Sequence, residues 1–124
     1  YKFTEGPATN AAGEVFYNDV GAGKTYKLDA NGKPVEFLAD SKRGDGQRFG
    51  PDGRLYAAAG ATNQILAHGP DGDVKVLADG FRGNDLVVLN NGDVYVTEPG
   101  WDGTSPSQIW HISATGEKKV VDKG

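Results

Sequence analysis

The stretch "PDGRLYAAAGATNQILAHGPDGDVKVLAD", residues 51–79, decides the fold. Pro51-Asp52-Gly53 and Asp71-Gly72 are tight-turn signals, because Asp tolerates turn positions and Gly supplies a positive φ. "RLYAAA" follows the first turn as an apolar strand-length run, Ile65 and Leu66 belong to a third strand, and "VKVLAD" follows the second turn. No window carries the spacing of an amphipathic helix. The same plan occurs three times. Ala11-Ala12-Gly13 and Asn90-Asn91-Gly92 place their glycines 40 residues before and 39 after Gly53. The second-turn glycines Gly32, Gly72 and Gly116 are 40 and 44 residues apart. "EVFYND", "RLYAAA" and "DVYVTE" follow the first turns, and "PVEFLAD", "VKVLAD" and "KKVVD" the second.

Four short strands repeated with a period of roughly 40 residues describe the blade of a β-propeller. The expected fold is therefore all-β, a single half-propeller with blades at 1–42, 43–81 and 82–124. In blade 3 the strands are expected at Asp85–Leu89, Asp93–Glu98, Gln108–Ser113 and Lys118–Asp122. The longer 44-residue spacing puts an insertion in this blade, and "GWDGTSPSQ" between its second and third strands is its place.

Composition fits a folded domain and narrows the partners. The chain has 124 residues, 37% hydrophobic and 10% aromatic, with 19 glycines for tight turns. A net charge of −4 argues against a nucleic-acid phosphate tracker. No apolar run approaches the roughly 18–20 residues of a membrane span, and no targeting segment opens the chain. Without cysteine there is no disulfide framework and no thiolate metal site. The start at Tyr1 rather than Met reads as a trimmed or engineered chain.

Three blades cannot close a ring, since closed propellers have about four to eight. The junction "VVDKG" to "YKFTEGP" would read like the internal junction "VLADGFRGND". A second copy of the chain, meeting the first head to tail, is therefore the expected partner, and the homodimer would be six-bladed. The rival is a half-domain with exposed edges.

Counting eight residues back from each first-turn glycine reaches Glu5, Asp45 and Asn84. Each begins the innermost strand of its blade, so the three should converge at one mouth of the channel. Alternating strand directions put the Trp101-Asp102 insertion on the same face. One such residue would more often bond its own backbone. Three equivalent ones beneath the longest loop suggest oxygen ligands for a hard cation, calcium first, with magnesium, manganese or zinc as alternatives.

These residues resemble the senescence-marker-protein/gluconolactonase/luciferin-regenerating-enzyme-like family. "TEGPATNAAGEVFYNDV" (Thr4–Val20) resembles its opening blade, and "RGNDLVVLNNGDVYVTEPGW" (Arg82–Trp101) its third. The resemblance spans essentially the whole chain. It implies that Glu5 binds a divalent metal, that Arg82 and Asn84 contact substrate, and that Glu98 or Asp102, beside Trp101, supplies another acidic contact. The implied activity is metal-dependent hydrolysis of a small lactone or related ester, with a sugar acid as the kind of ligand bound. It also assigns an Asn and an Asp, the latter as base, to later blades outside these 124 residues. In a homodimer second copies of Glu5, Asp45 and Asn84 would occupy those places.

Other signals carry less. "GAGKT" (Gly21–Thr25) lacks the spacing and following helix of a phosphate loop and reads as a strand connection. Trp101-Asp102 is not a WD repeat. His68 and His111 lie in third strands one residue out of register, so they should point to opposite blade faces in structural roles. No nucleophile elbow or paired-histidine zinc motif occurs. Tyr17, Phe37, Tyr56, Ile65, Leu66, Val88 and Val96 read as blade-to-blade packing. A non-catalytic self-assembling scaffold is the alternative function, and a sugar- or protein-binding propeller using the Trp101 loop is a weaker one.

Overall fold

A computed structural model describes residues 1–124. It contains twelve strands and no helix. β1 (Thr4–Thr9), β2 (Val15–Asp19), β3 (Lys24–Leu28) and β4 (Pro34–Leu38) form the first sheet. β5 (Gly44–Phe49), β6 (Leu55–Ala59), β7 (Gln64–His68) and β8 (Val74–Asp79) form the second. β9 (Leu86–Val88), β10 (Val94–Glu98), β11 (Gln108–Ile112) and β12 (Lys118–Lys123) form the third. Each sheet is an antiparallel meander in sequence order. No helix is long and apolar enough to cross a membrane.

The repeat is thus real in space, and its blade 3 strands lie where the turn spacing puts them. The expected first strand is trimmed at both ends. Asp85 turns its carboxylate onto the Leu86 N–H at 2.8 Å, and Leu89 enters the hairpin turn, where its carbonyl accepts the Gly92 N–H. Gly13, Gly53 and Gly92 all have φ near +80°, with Gly92 at 88°, which is why the first turn of each blade ends on glycine.

Strand alternation sorts side chains between neighbouring blades. From blade 2, Tyr56, Ala58, Ile65 and Ala67 face blade 3, where Leu86, Val94, Val96 and Ile112 meet them. Phe81 stacks on Trp110 at the edge of this seam, ring centres 4.6 Å apart. Ile65, Val94 and Ile112 are fully buried, each stabilising by about 1.5–3 kcal/mol. The seam between blades 1 and 2 is smaller: Ala8, Phe16 and Leu55, with Phe37 and Phe49 set edge-on to Phe16. Of the residues read as packing from sequence, Tyr17 alone lies on an end face.

The two end faces are uncovered counterparts of these seams. Tyr95 and Ile109 occupy the blade 3 positions of Tyr56 and Ile65. They are each 37% exposed, against 8% and 0% inside the chain. At the other end Tyr17 and Tyr26 stand where blade 2 has Ala57 and Leu66, and Tyr1 packs edge-on against both rings.

Candidate functional site at the channel mouth

The inner strands approach one another closely at their starts. A side chain at Gly6 would overlap the Asp45 carbonyl, and one at Gly46 would lie 2.6 Å from the Asp85 Cα. Glycine after Glu5 and after Asp45 therefore allows β1, β5 and the lead-in to β9 to pack backbone against backbone. The Gly46 N–H donates to the Asn84 carbonyl at 2.8 Å. The Asn18 amide, buried in β2, reaches across the first seam to the Asp45 carbonyl at 2.7 Å.

This backbone contact brings side chains together. The Asn84 amide donates to Asp45 Oδ2 at 3.1 Å. Asp45 Oδ1 is buried with no partner. Burial pushes the Asp45 carboxyl above its usual range; the Asn84 bond opposes this, the charges of Glu5 and Asp85 add to it, and Arg82 pulls it back. Glu5 stands near enough to be felt in that balance, and its Oε2 accepts the Gly6 N–H at 3.0 Å. Desolvation makes an ionised carboxylate costly, so an orphan oxygen on a half-buried one favours a proton or a cation.

The same mouth receives the blade 3 insertion. The Asn84 N–H donates to the Thr97 carbonyl at 2.8 Å, which ties the lead-in of β9 to the end of β10. The Arg82 guanidinium lies over the Trp101 ring, 4.1 Å from its centre, and the Trp101 indole N–H donates to the Arg82 carbonyl at 2.8 Å. Glu98 accepts the Arg82 N–H on one oxygen, and the Gln108 amide and the Trp110 indole N–H on the other. Asp102 accepts both N–H groups of Thr104 and Ser105 and the Ser105 hydroxyl, which hold its carboxyl far below the usual range. Glu98 and Asp102 thus order the loop in this structure, and Arg82 remains open to solvent. Asn84, Glu98 and Gln108 border a cleft of about 420 Å³ on the outer side of blade 3.

No group of three or more His, Asp or Glu side chains is placed to hold a metal. Sequence reasoning missed Gln47, fully buried two residues after Asp45, with neither amide atom partnered. Its signal was a glutamine where the other blades have Pro7 and Leu86. His68 and His111 point to opposite faces, as their register requires. His68 is buried toward blade 1, and His111 bonds Asp93 at 2.8 Å.

No family model matches the chain, and no curated protein matches it in sequence. Solved structures match in fold. A gluconolactonase from Xanthomonas campestris superposes with a TM-score of 0.88 at 16% identity, covering 99% of this chain and 48% of its own. A calcium-binding protein, regucalcin, from Agrobacterium tumefaciens strain C58 gives 0.77 at 17% identity, covering 98% and 43%. A virginiamycin B lyase from Staphylococcus aureus gives 0.77 at 14% identity, covering 98% and 41%. The fold is that of a β-propeller. The chain spans about half the length, or less, of these structures, and its likeness in fold to the gluconolactonase and the regucalcin is consistent with the family resemblance of the sequence. The lyase shows that one architecture carries different chemistry, so the site must decide function.

Proposed function

We propose that the chain is half of a divalent-metal-binding, lactonase-like propeller whose site lies at the channel mouth. The observation that carries this reading is the unpartnered, buried Asp45 Oδ1 beside Asn84 and within the field of Glu5. Glu5, Asp45 and the free Oδ1 of Asn84 offer oxygen only, the donor chemistry of calcium or another hard cation. Calcium takes about six to eight oxygens, so three from one chain leave places for other blades or water. A cation held there would supply Lewis-acid polarisation of a lactone carbonyl.

The chain's own residues would do the rest. Arg82 offers N–H donors to the ligand's oxygens. The bond from the Asn84 amide turns Asp45 so that its other oxygen remains available. Asp45, whose proton affinity burial raises, keeps its proton to a higher pH than an ordinary surface carboxylate.

A second copy completes the ring in this reading. Its support is the equivalence of the end faces with the buried seams: Tyr95 and Ile109 on one, Tyr17 and Tyr26 on the other. Such a ring would bring two sets of Glu5, Asp45 and Asn84 around one axis. A non-catalytic self-assembling scaffold is the alternative reading. Hydrolysis of simple aldonolactones separates the readings. Turnover that requires both added divalent metal and Glu5 supports the enzyme, and turnover absent under those conditions supports the scaffold. Light scattering should report twice the 13.1 kDa chain mass; a monodisperse monomer rules out the dimer.

A further inference from the structure

On the face opposite the mouth, the seam between blades 1 and 2 opens into a groove of about 380 Å³. Phe16, Phe37, Phe49 and Leu55 form its apolar wall, with Phe37 and Phe49 set edge-on to Phe16 at 5.1 and 5.0 Å. The charged side chains at the groove are already paired, Glu14 with Lys27 and Glu36 with Lys24. Asn10 is occupied too: its amide donates to Glu14 at 2.8 Å, and its oxygen accepts the Ala12 and Glu14 N–H groups. His68 is the exception. It borders the groove, is only 6% exposed, and has Nε2 buried without a partner. Packing alone does not call for a histidine there, since Ile112 fills the same position in the next blade and is fully buried. An imidazole nitrogen buried with nothing bonded to it costs free energy that an aliphatic side chain avoids.

We propose that this groove is a second ligand site, separate from the mouth, and that it takes a small uncharged phenol with His68 as its hydrogen-bond partner. A single benzene ring fits a cavity of about 150 Å³, so the groove has room for a substituted ring. An aromatic ligand continues the edge-to-face contacts of the three phenylalanines, which an aliphatic one does not. Lys27, paired with Glu14, has no free charge to hold a carboxylate, and desolvation against the phenyl rings disfavours one. Burial keeps the His68 ring uncharged at neutral pH. A neutral imidazole nitrogen either donates or accepts, and a phenolic hydroxyl satisfies it in either tautomer.

NMR titration of the full chain with p-cresol, toluene and benzoate at neutral pH tests this without metal or lactone. p-Cresol should move the Phe37 and His68 ring signals saturably and leave Trp101, at the mouth, unmoved. Toluene should bind roughly three- to tenfold more weakly, the worth of one hydrogen bond, and benzoate should not saturate. His68→Leu should bring p-cresol down to the affinity of toluene, and His68→Gln should restore part of the preference. No saturable response of the groove to p-cresol would overturn the site. Equal affinity for p-cresol and toluene, or a preference that survives His68→Leu, would overturn the role of His68. Benzoate matching p-cresol would overturn the assignment to an uncharged ligand. None of these results depends on whether the mouth binds a cation or hydrolyses lactones.

Discussion

The two seams inside the chain follow one plan but are filled differently. Between blades 2 and 3, aliphatic residues interlock around Ile65, Val94 and Ile112, with Phe81 stacked on Trp110. Between blades 1 and 2, three phenylalanines meet edge to face around Leu55, and a groove of about 380 Å³ opens on the hairpin-turn side. Where the tight seam has Ile112, the open one has His68, buried with Nε2 unpartnered. Toward the mouth the open seam turns polar, with Asn18, Thr25 and Gln47 buried. The same backbone repeat therefore supports a rigid joint on one side and a polar, imperfectly filled one on the other. The polar joint is the one beneath Glu5 and Asp45.

Matched truncations should expose the difference. Ile65→Ala, in the tight seam, is expected to cost about 4 kcal/mol, in the upper part of the range for such deletions. Leu55→Ala, beside the open groove, should cost about 2–3 kcal/mol, because water or neighbouring rings can occupy the space. Chemical denaturation measures both, and the reverse order would mean that the seams are equally well packed.

The histidine gives a second contrast. Burial lowers the His68 pKa below its ordinary 6.5. On acidification through 6.5 the unfolded chain takes up this proton and the folded chain does not. Stability present above that pH should therefore fall below it, with a slope of at most about 1.4 kcal/mol per pH unit. His68→Leu should flatten the curve between pH 7 and pH 5. An unchanged slope would place the titrating group elsewhere.

The end face of blade 3 extends the comparison to the joint proposed with a second copy of the chain. Ile109 is the exposed equivalent of Ile65. Ile109→Glu should leave folding nearly unchanged, within about 0.5 kcal/mol as for other exposed substitutions, while reducing the mass measured by light scattering to that of one chain. A dimer that survives Ile109→Glu would show that this face is not the joint.

How much of this could be read in advance depended on whether the feature was periodic. Turn glycines at 13, 53 and 92 must repeat because each blade needs the same positive φ, so strand positions and the placing of Glu5, Asp45 and Asn84 followed from counting. Glu98 and Asp102 were harder. Their residue type suits a ligand contact, but their bonds to Trp110, Gln108 and Ser105 depend on how one non-repeating loop folds back. Gln47 was missed because a buried glutamine in an alternating strand looks like an outward-facing one. The Arg82–Trp101 stack joins two segments 19 residues apart in sequence, and no local pattern records such a contact.

Glu5, Asp45 and Asn84, at the starts of the inner strands, are proposed to form a cation site. Calorimetric titration of calcium into the wild-type chain and into Glu5→Gln tests it most directly. Saturable binding to the wild type and none to the variant is expected, with the variant's fold intact by circular dichroism. Equal affinity in the two proteins, or no binding of any divalent cation by the wild type, would contradict it.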